Sequence, residues 1–254
     1  IKVVLSCRSE YYEIYFQDIE TVFLEDNYVI KKDIYSHLDE HKRDVLVKRY
    51  LAYFKIAANL DEEVEKELSS DLLLLRIFSE AFSNKQLGSV NSLLYDEMYH
   101  AYYDKMTSRA VDKLKNEKGI IVTKSTIQSF FIKILTCMID QDKFMGVEMS
   151  TIEQVIPERE HELFHRFIDE NILLRRDIDS CNTSLGSKEL VSFTYDNFRD
   201  YLIADYIVNC IYFQDLSKFK SCVDNYTTVG HTLKEGIVAF LFLLAKKQND
   251  ISRY

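Results

Sequence analysis

Three groups of side chains in this sequence have types and spacings that chemistry could use. His161-Glu162-Leu163-Phe164-His165 fits H-E-x-x-H. On a helix the two imidazoles share a face and can chelate zinc, with the glutamate as general base for peptide hydrolysis. The flanks differ from those of a zinc-hydrolase helix. Charged Glu158-Arg159-Glu160 precedes the motif, and Ile168 stands where the extended motif has glycine. A distant third ligand such as Glu189 would fall on an expected strand. The competing reading has both histidines flanking the buried stripe of an ordinary helix. Arg175, Arg176 and Lys188 form a second group, suited to phosphate contacts with a nucleic-acid backbone. The helix expected before them carries Glu158, Glu160, Glu162, Asp169 and Glu170, which would repel that backbone, so packing against protein is the alternative. The third group concerns nucleotide phosphates. No G-x-x-x-x-G-K-[ST] occurs, and Gly186-Ser187-Lys188 lacks the first glycine. Nor does a strand end in paired acids that would hold magnesium. Arg8 lies just past the run Val3-Val4-Leu5-Ser6, where α/β sheets bind ligands beyond their strand ends. It reads equally as a surface arginine paired to Glu10 or Glu13.

The elements that would position these groups are mostly helical. One proline and six glycines in 254 residues leave long stretches free of breakers. Residues 1–30 read as the end of an α/β unit, with strands near Val3–Ser6 and Thr21–Leu24. From Asp39 helices dominate. Asp39 is placed to cap a helix bearing Val45, Leu46, Tyr50, Leu51 and Phe54. Asp61-Glu62-Glu63 opens a short acidic helix. Ser69-Ser70-Asp71 caps the apolar run Leu72–Phe78, which reads as buried. A tyrosine-rich helix follows over about 92–116 and ends at Lys118-Gly119. A helix over 123–142, a short one over 151–156 and one opened by Pro157 lead to a strand at Ile172–Arg176. A polar loop over 177–188 and a strand at Leu190–Thr194 complete the order of a winged helix. A strong helix spans 196–213, and two more occupy 215–254.

The net charge of −9 disfavours non-specific binding to nucleic acid or to a membrane surface. The five cysteines have no C-x-x-C spacing and read as reduced thiols of a cytoplasmic protein. The most apolar run, Ile237–Ala245, is too short to cross a bilayer. Ile1-Lys2-Val3-Val4-Leu5 reads as a strand lacking its neighbours, and the chain closes just after an apolar helical run. Both lead to the expectation of more protein on either side.

In their order, three segments resemble the second half of a STAND-type NTPase of the NACHT branch. Val3-Val4-Leu5-Ser6-Cys7-Arg8 is similar to the sensor-1 strand, hydrophobics followed by T/S-x-R. Leu68-Ser69-Ser70-Asp71-Leu72-Leu73-Leu74 with Arg76 is similar to the "N-P-L-L-L-R" helix. Val191 through Ala204 is similar to the winged-helix signature "F-x-H-x-S-F-x-E-Y-L-A-A". The likeness covers residues 1 to about 213. Asp71 stands where the family has a proline near adenine. Tyr195 stands where it has a histidine at the β-phosphate, and its hydroxyl donates one hydrogen bond without a charge.

The resemblance implies a mainly α architecture in four parts. Residues 1–30 would end a P-loop NTPase domain, 31–118 form a helical lid, 119–213 a winged-helix domain, and 214–254 start a further helical region. It implies ATP or ADP with Mg²⁺ held by an upstream half, so that this chain alone has no catalytic residue. Arg8 and Tyr195 would sense the nucleotide, and Asp71 and Leu72 would lie near its base. Asp196 and Arg199 would belong to a switch interface; the other reading makes Asp196 a helix cap and the rest ordinary surface. The winged helix would pack against the lid in a resting ADP state and rotate as a rigid body to expose a surface that self-assembles. The family adds an N-terminal effector and a C-terminal sensor. Antiviral members of prokaryotes carry similar tyrosine forms, which implies phage defence and a phage protein met through the sensor. A winged-helix nucleic-acid binder and a zinc metalloprotease remain the alternative readings.

Overall fold

The computed structural model describes residues 39–90, 95–179, 187–228 and 234–251. Arg8 and the strands expected over residues 1–30 lie outside them. The described residues are mainly helical. Helix α1 (Glu40–Tyr53) starts where the Asp39 carboxylate accepts from the Lys42 amide at 2.9 Å. Helix α2 (Glu62–Ser70) starts where Asp61 accepts from the Val64 amide at 2.8 Å, with Glu62, Glu63 and Glu65 in its positive first turn. Helix α3 (Leu72–Ala81) starts where Asp71 accepts from the Leu73 and Leu74 amides at 2.8 and 3.1 Å. Strands β1 (Ala57–Leu60) and β2 (Gln86–Val90) form a parallel pair that the sequence reading did not anticipate. Parallel strands need a crossover, and α2 with α3 supplies it. Each strand is short, and β2 carries Gly88 at φ +30°, so neither has a periodic signature.

Helix α4 (Tyr95–Lys118) is the longest among the described residues. It stops at Gly119, whose φ of +67° turns the chain out while its amide bonds back to the Lys115 carbonyl. Helix α5 (Lys124–Gln141) follows, capped by Thr123 and closed by Asp142 in the left-handed region. Then come strand β3 (Val147–Glu148), helix α6 (Met149–Val155), a single 3-10 turn over Glu158–Glu160, and helix α7 (His161–Asp169). Strands β4 (Leu173–Asp179) and β5 (Ser187–Phe193) close an antiparallel sheet of order β3-β5-β4. The expected order of three helices and two strands is present. Two details differ. Pro157 caps the 3-10 turn instead of opening an α-helix, because its own backbone is extended. The hairpin reaches into the expected loop, since pairing continues to Asp179↔Ser187.

Helix α8 (Asp196–Tyr206) runs on through a π-helical turn, Ile207–Ile211, to Gln214. Helices α9 (Leu216–Thr227) and α10 (Lys234–Ile251) complete the described chain. One hydrophobic cluster runs from Val64, Leu68 and Leu75 through Tyr99 and Tyr102 to Phe130, Phe167, Phe198 and Ile237.

Five tyrosines load this core, and burial pushes their phenols up: Tyr103 to about 12, and Tyr99, Tyr102, Tyr201 and Tyr226 further. An unfolded phenol titrates near pH ~10. A pKa raised by folding contributes stability that is complete below the unfolded value and lost as pH rises through the folded one. In an alkaline titration, these phenolates are therefore expected to appear together with the loss of helical circular dichroism. A full phenolate signal from a chain still helical would show that these rings are not buried as described.

Candidate functional site

Tyr195 sits at the junction of three elements. It precedes α8, follows β5, and lies half-buried with its ring centroid 6.2 Å from that of Tyr102 on α4. Arg76 of α3 stands at the same junction. Its guanidinium is held to Glu80 at 2.8 Å and is pushed above its ordinary value first by that bond and then by the phenol of Tyr195. Behind Tyr195 the rings continue inward: Tyr102 meets Phe198 edge-on at 5.1 Å, and Tyr99 stacks on Tyr201 at 5.2 Å. The Tyr201 hydroxyl donates to the Asp96 carboxylate at 3.0 Å. Sequence reading named Tyr195 as a site residue and Arg76 only as part of the helix resemblance. Its signal was the alternation of Arg76 and Glu80 at i,i+4 on a helix otherwise apolar.

The other candidates are spread more widely. The Asp71 carboxylate is occupied by the α3 amides, and Leu72 packs half-buried against the core. One opening on this side lies between α1 and α3. It is a groove of about 470 Å³ lined by Arg49, Tyr50, Tyr53, Phe54, Arg76 and Glu80. Asp196 is the first residue of α8, and no side chain caps that helix. The reading of Arg199 as surface is corrected: it is 4% exposed. Its guanidinium pairs with Asp200 at 2.7 Å and Asp196 at 2.8 Å and donates to the Phe144 carbonyl at 3.2 Å. Arg176 donates to the next carbonyl, Met145, at 2.7 Å and to Ser192 Oγ at 2.9 Å. Arg176, read as a phosphate contact, and Arg199, read as part of a switch interface, thus brace one turn, which Gly146 completes at φ +153°.

Several of the remaining charged groups are engaged with one another. Arg175 pairs with Glu189 across β4 and β5. Glu162 pairs with Lys118, which holds its carboxyl below the ordinary range. His161 is half-buried and His165 exposed, and the motif's apolar residues Leu163 and Phe164 are buried. Among the described residues no group of three His, Cys, Asp or Glu side chains is arranged to hold a metal ion. Glu162 of α7 meets Lys118 at the end of α4. Glu170, just past the end of α7, is 4% exposed and pairs with Arg109 at 2.7 Å and Lys113 at 2.5 Å, while Arg166 pairs with Glu117. Glu160 is buried against Lys133 at 2.7 Å. Glu160, Glu162 and Glu170 would have faced phosphates in a DNA groove; the fold gives these three acids cations of its own. Sequence reading named the acids but not their partners, which lie far along the chain, 27 residues away for Glu160 and 44 for Glu162. No protein-family model matches this chain, and no curated protein matches it. Among the described residues no helix is long and apolar enough to cross a membrane.

Proposed function

We propose that this chain is the lid and winged-helix part of a nucleotide-controlled switch of the STAND type, NACHT branch, working in cytoplasmic defence signalling. The observation that carries the reading is how residues 124–193 are used. Their helices and the β3-β5-β4 sheet follow winged-helix topology, yet the third helix is ion-paired to α4 along its length. A winged helix that reads DNA presents that helix to the major groove. Here it packs on protein, as a switch domain does. The groove between α1 and α3, with the rings of Tyr50, Tyr53 and Phe54 beside Arg49 and Arg76, suits the lid role, because a planar base stacks on such rings.

ATP or ADP with Mg²⁺, held upstream, would supply the difference in free energy between the two states. This chain holds no phosphate loop of its own, so it is not an ATPase alone. Its residues bind the lid to the winged helix through the Arg76–Tyr102–Tyr195 junction. They also bury the winged helix's third helix until the parts separate. The open state would assemble with copies of itself, under a C-terminal sensor for a phage protein and with an N-terminal effector.

The test is the nucleotide content of the protein purified with its upstream sequence, released by denaturation and separated by chromatography. Near-stoichiometric ADP or ATP is expected, reduced several-fold by Tyr195→Ala or Arg8→Ala. A protein that purifies empty and takes up no added ATP overturns the reading. Salt-dependent DNA binding, or a zinc ion lost in His161→Ala, would then decide between the remaining readings.

A further inference from the structure

Over much of the described chain, cations and carboxylates find one another. Arg109 and Lys113 reach Glu170, Lys133 reaches Glu160, Arg199 reaches Asp200, and Lys218 reaches Asp140. The first two helices behave differently. The run Lys48-Arg49-Tyr50-Leu51-Ala52-Tyr53-Phe54-Lys55 holds three cations and no acid. Lys48 and Ala52 share a face of α1 one turn apart, and Lys55 follows in the turn that closes the helix; all three are exposed. Arg49, one position round, adds its charge from the rim of the α1–α3 groove. Lys48, Arg49 and Lys55 pair with no carboxylate among the described residues. Past β1 the sign reverses. Asp61, Glu62 and Glu63 open α2 and are all exposed, with Glu65 and Glu67 half-buried behind them. Glu62, Glu63, Glu65 and Glu67 pair with no cation among the described residues. Burial pushes the Glu67 carboxyl up, and the negative charges of Glu63 and Asp61 push it further. Its Oε2 is buried without a partner among the described residues. Helices α1 and α2 pack on each other, yet these opposite charges form no ion pair, so the two patches lie apart on one body.

We propose that the basic end of α1 docks on the acidic start of α2 in a second copy of this chain. Charge complementarity selects that occupant. The patches are opposite in sign and alike in extent, each about 10 Å long at the rise of a helix. Every copy carries both, so copies either exchange two contacts across a two-fold axis or add head to tail. A nucleic-acid strand passing α1 would meet the acids of α2 as well as the cations; a second copy uses both. Two chains of net −9 repel one another through space. At ~0.1 M salt that repulsion is screened beyond about 10 Å, while ion pairs in contact are not. The contact deepens the self-assembly in the switch reading and rests on that reading for its role, though not for its chemistry.

Analytical ultracentrifugation of the full chain, without nucleotide, tests this at ~0.1 M and ~1 M salt, where screening lengths are about 10 and 3 Å. The parent is expected to sediment as a concentration-dependent assembly at the lower salt and as a monomer at the higher. Lys48→Gln with Lys55→Gln removes one patch, and Glu62→Gln with Glu63→Gln removes the other. All four side chains are exposed, and far-UV circular dichroism confirms that each variant keeps its helices. Each variant alone is expected to be monomeric at both salts. An equal mixture of the two is expected to associate again and to stop at the dimer, because one retains the acidic patch and the other the basic one. A mixture that stays monomeric overturns the proposal, as does a parent that is monomeric at both salts. Association that survives both sets of substitutions overturns it too. Association that nuclease removes overturns it and passes α1 to nucleic acid. The nucleotide content of the protein with its upstream sequence is read separately. Self-association by a protein that purifies empty keeps the contact and removes the nucleotide control; bound nucleotide with a monomeric parent does the reverse.

Discussion

Arg199→Ala is expected to lower unfolding free energy by about 3–5 kcal/mol, the usual cost of removing one partner from a buried charge pair. Asp200 is the reason. It is 6% exposed, and Arg199 is the cation on it, through Nε at 2.9 Å and Nη2 at 2.7 Å. The same guanidinium holds the Phe144 carbonyl, so the turn between α5 and β3 loosens too. Asp196 adds little, because its side chain is two-thirds exposed. Lysine at this position cannot reproduce the fork and should recover only a minor part of the loss. The effect depends on pH in a stated direction. Burial already holds the Asp200 carboxyl above its ordinary value, against the pull of Arg199. Without Arg199 that value rises further. A raised carboxyl value means stability is highest in acid and falls as pH rises from the unfolded towards the folded value. The gap between variant and parent should therefore be smallest at acidic pH and widen towards neutrality. Urea unfolding at several pH values checks this. A deficit below ~1 kcal/mol, or one flat with pH, would mean that Asp200 is hydrated and not dry.

Gly236→Ala should destabilise by about 1–3 kcal/mol, although alanine is the better helix former by up to ~1 kcal/mol. Gly236 lies in α10 where that helix crosses α8. A methyl group there would overlap Asp200 Oδ2, with the Asp200 Cγ at 3.0 Å and Cβ at 3.2 Å. A free aspartate would swing aside at little cost. This one is pinned by Arg199 and buried, so α10 must lift from α8 instead. The signature is coupling. In an Asp200→Ala background, the Gly236→Ala penalty should largely vanish, or turn into the small gain that helix propensity gives. An equal penalty in both backgrounds would show that α10 is not seated on Asp200.

The helix starts of this protein are readable in one dimension. Asp39, Asp61, Asp71 and Thr123 each cap a helix through an amide two or three residues away, so a short window of sequence contains the whole interaction. The order of elements over 124–193 is readable for the same reason, since apolar period and turn chemistry are local. The β1–β2 pair was not. Its strands are too short and too irregular to carry a period, and they form because α2 and α3 return the chain alongside itself. Charge was the other blind spot. Composition places arginine and aspartate at the surface, and for Asp196 that holds. Arg199 and Asp200 are buried because the turn at Phe144 and the bare flank of Gly236 close over them from far along the chain. Tyr195 was singled out by the resemblance of Val191 through Ala204 to a winged-helix signature. That it faces Tyr102 and Arg76 depended on how α3 and α4 pack, because contacts between distant segments are set by the geometry of folding and leave no spacing in the sequence to read.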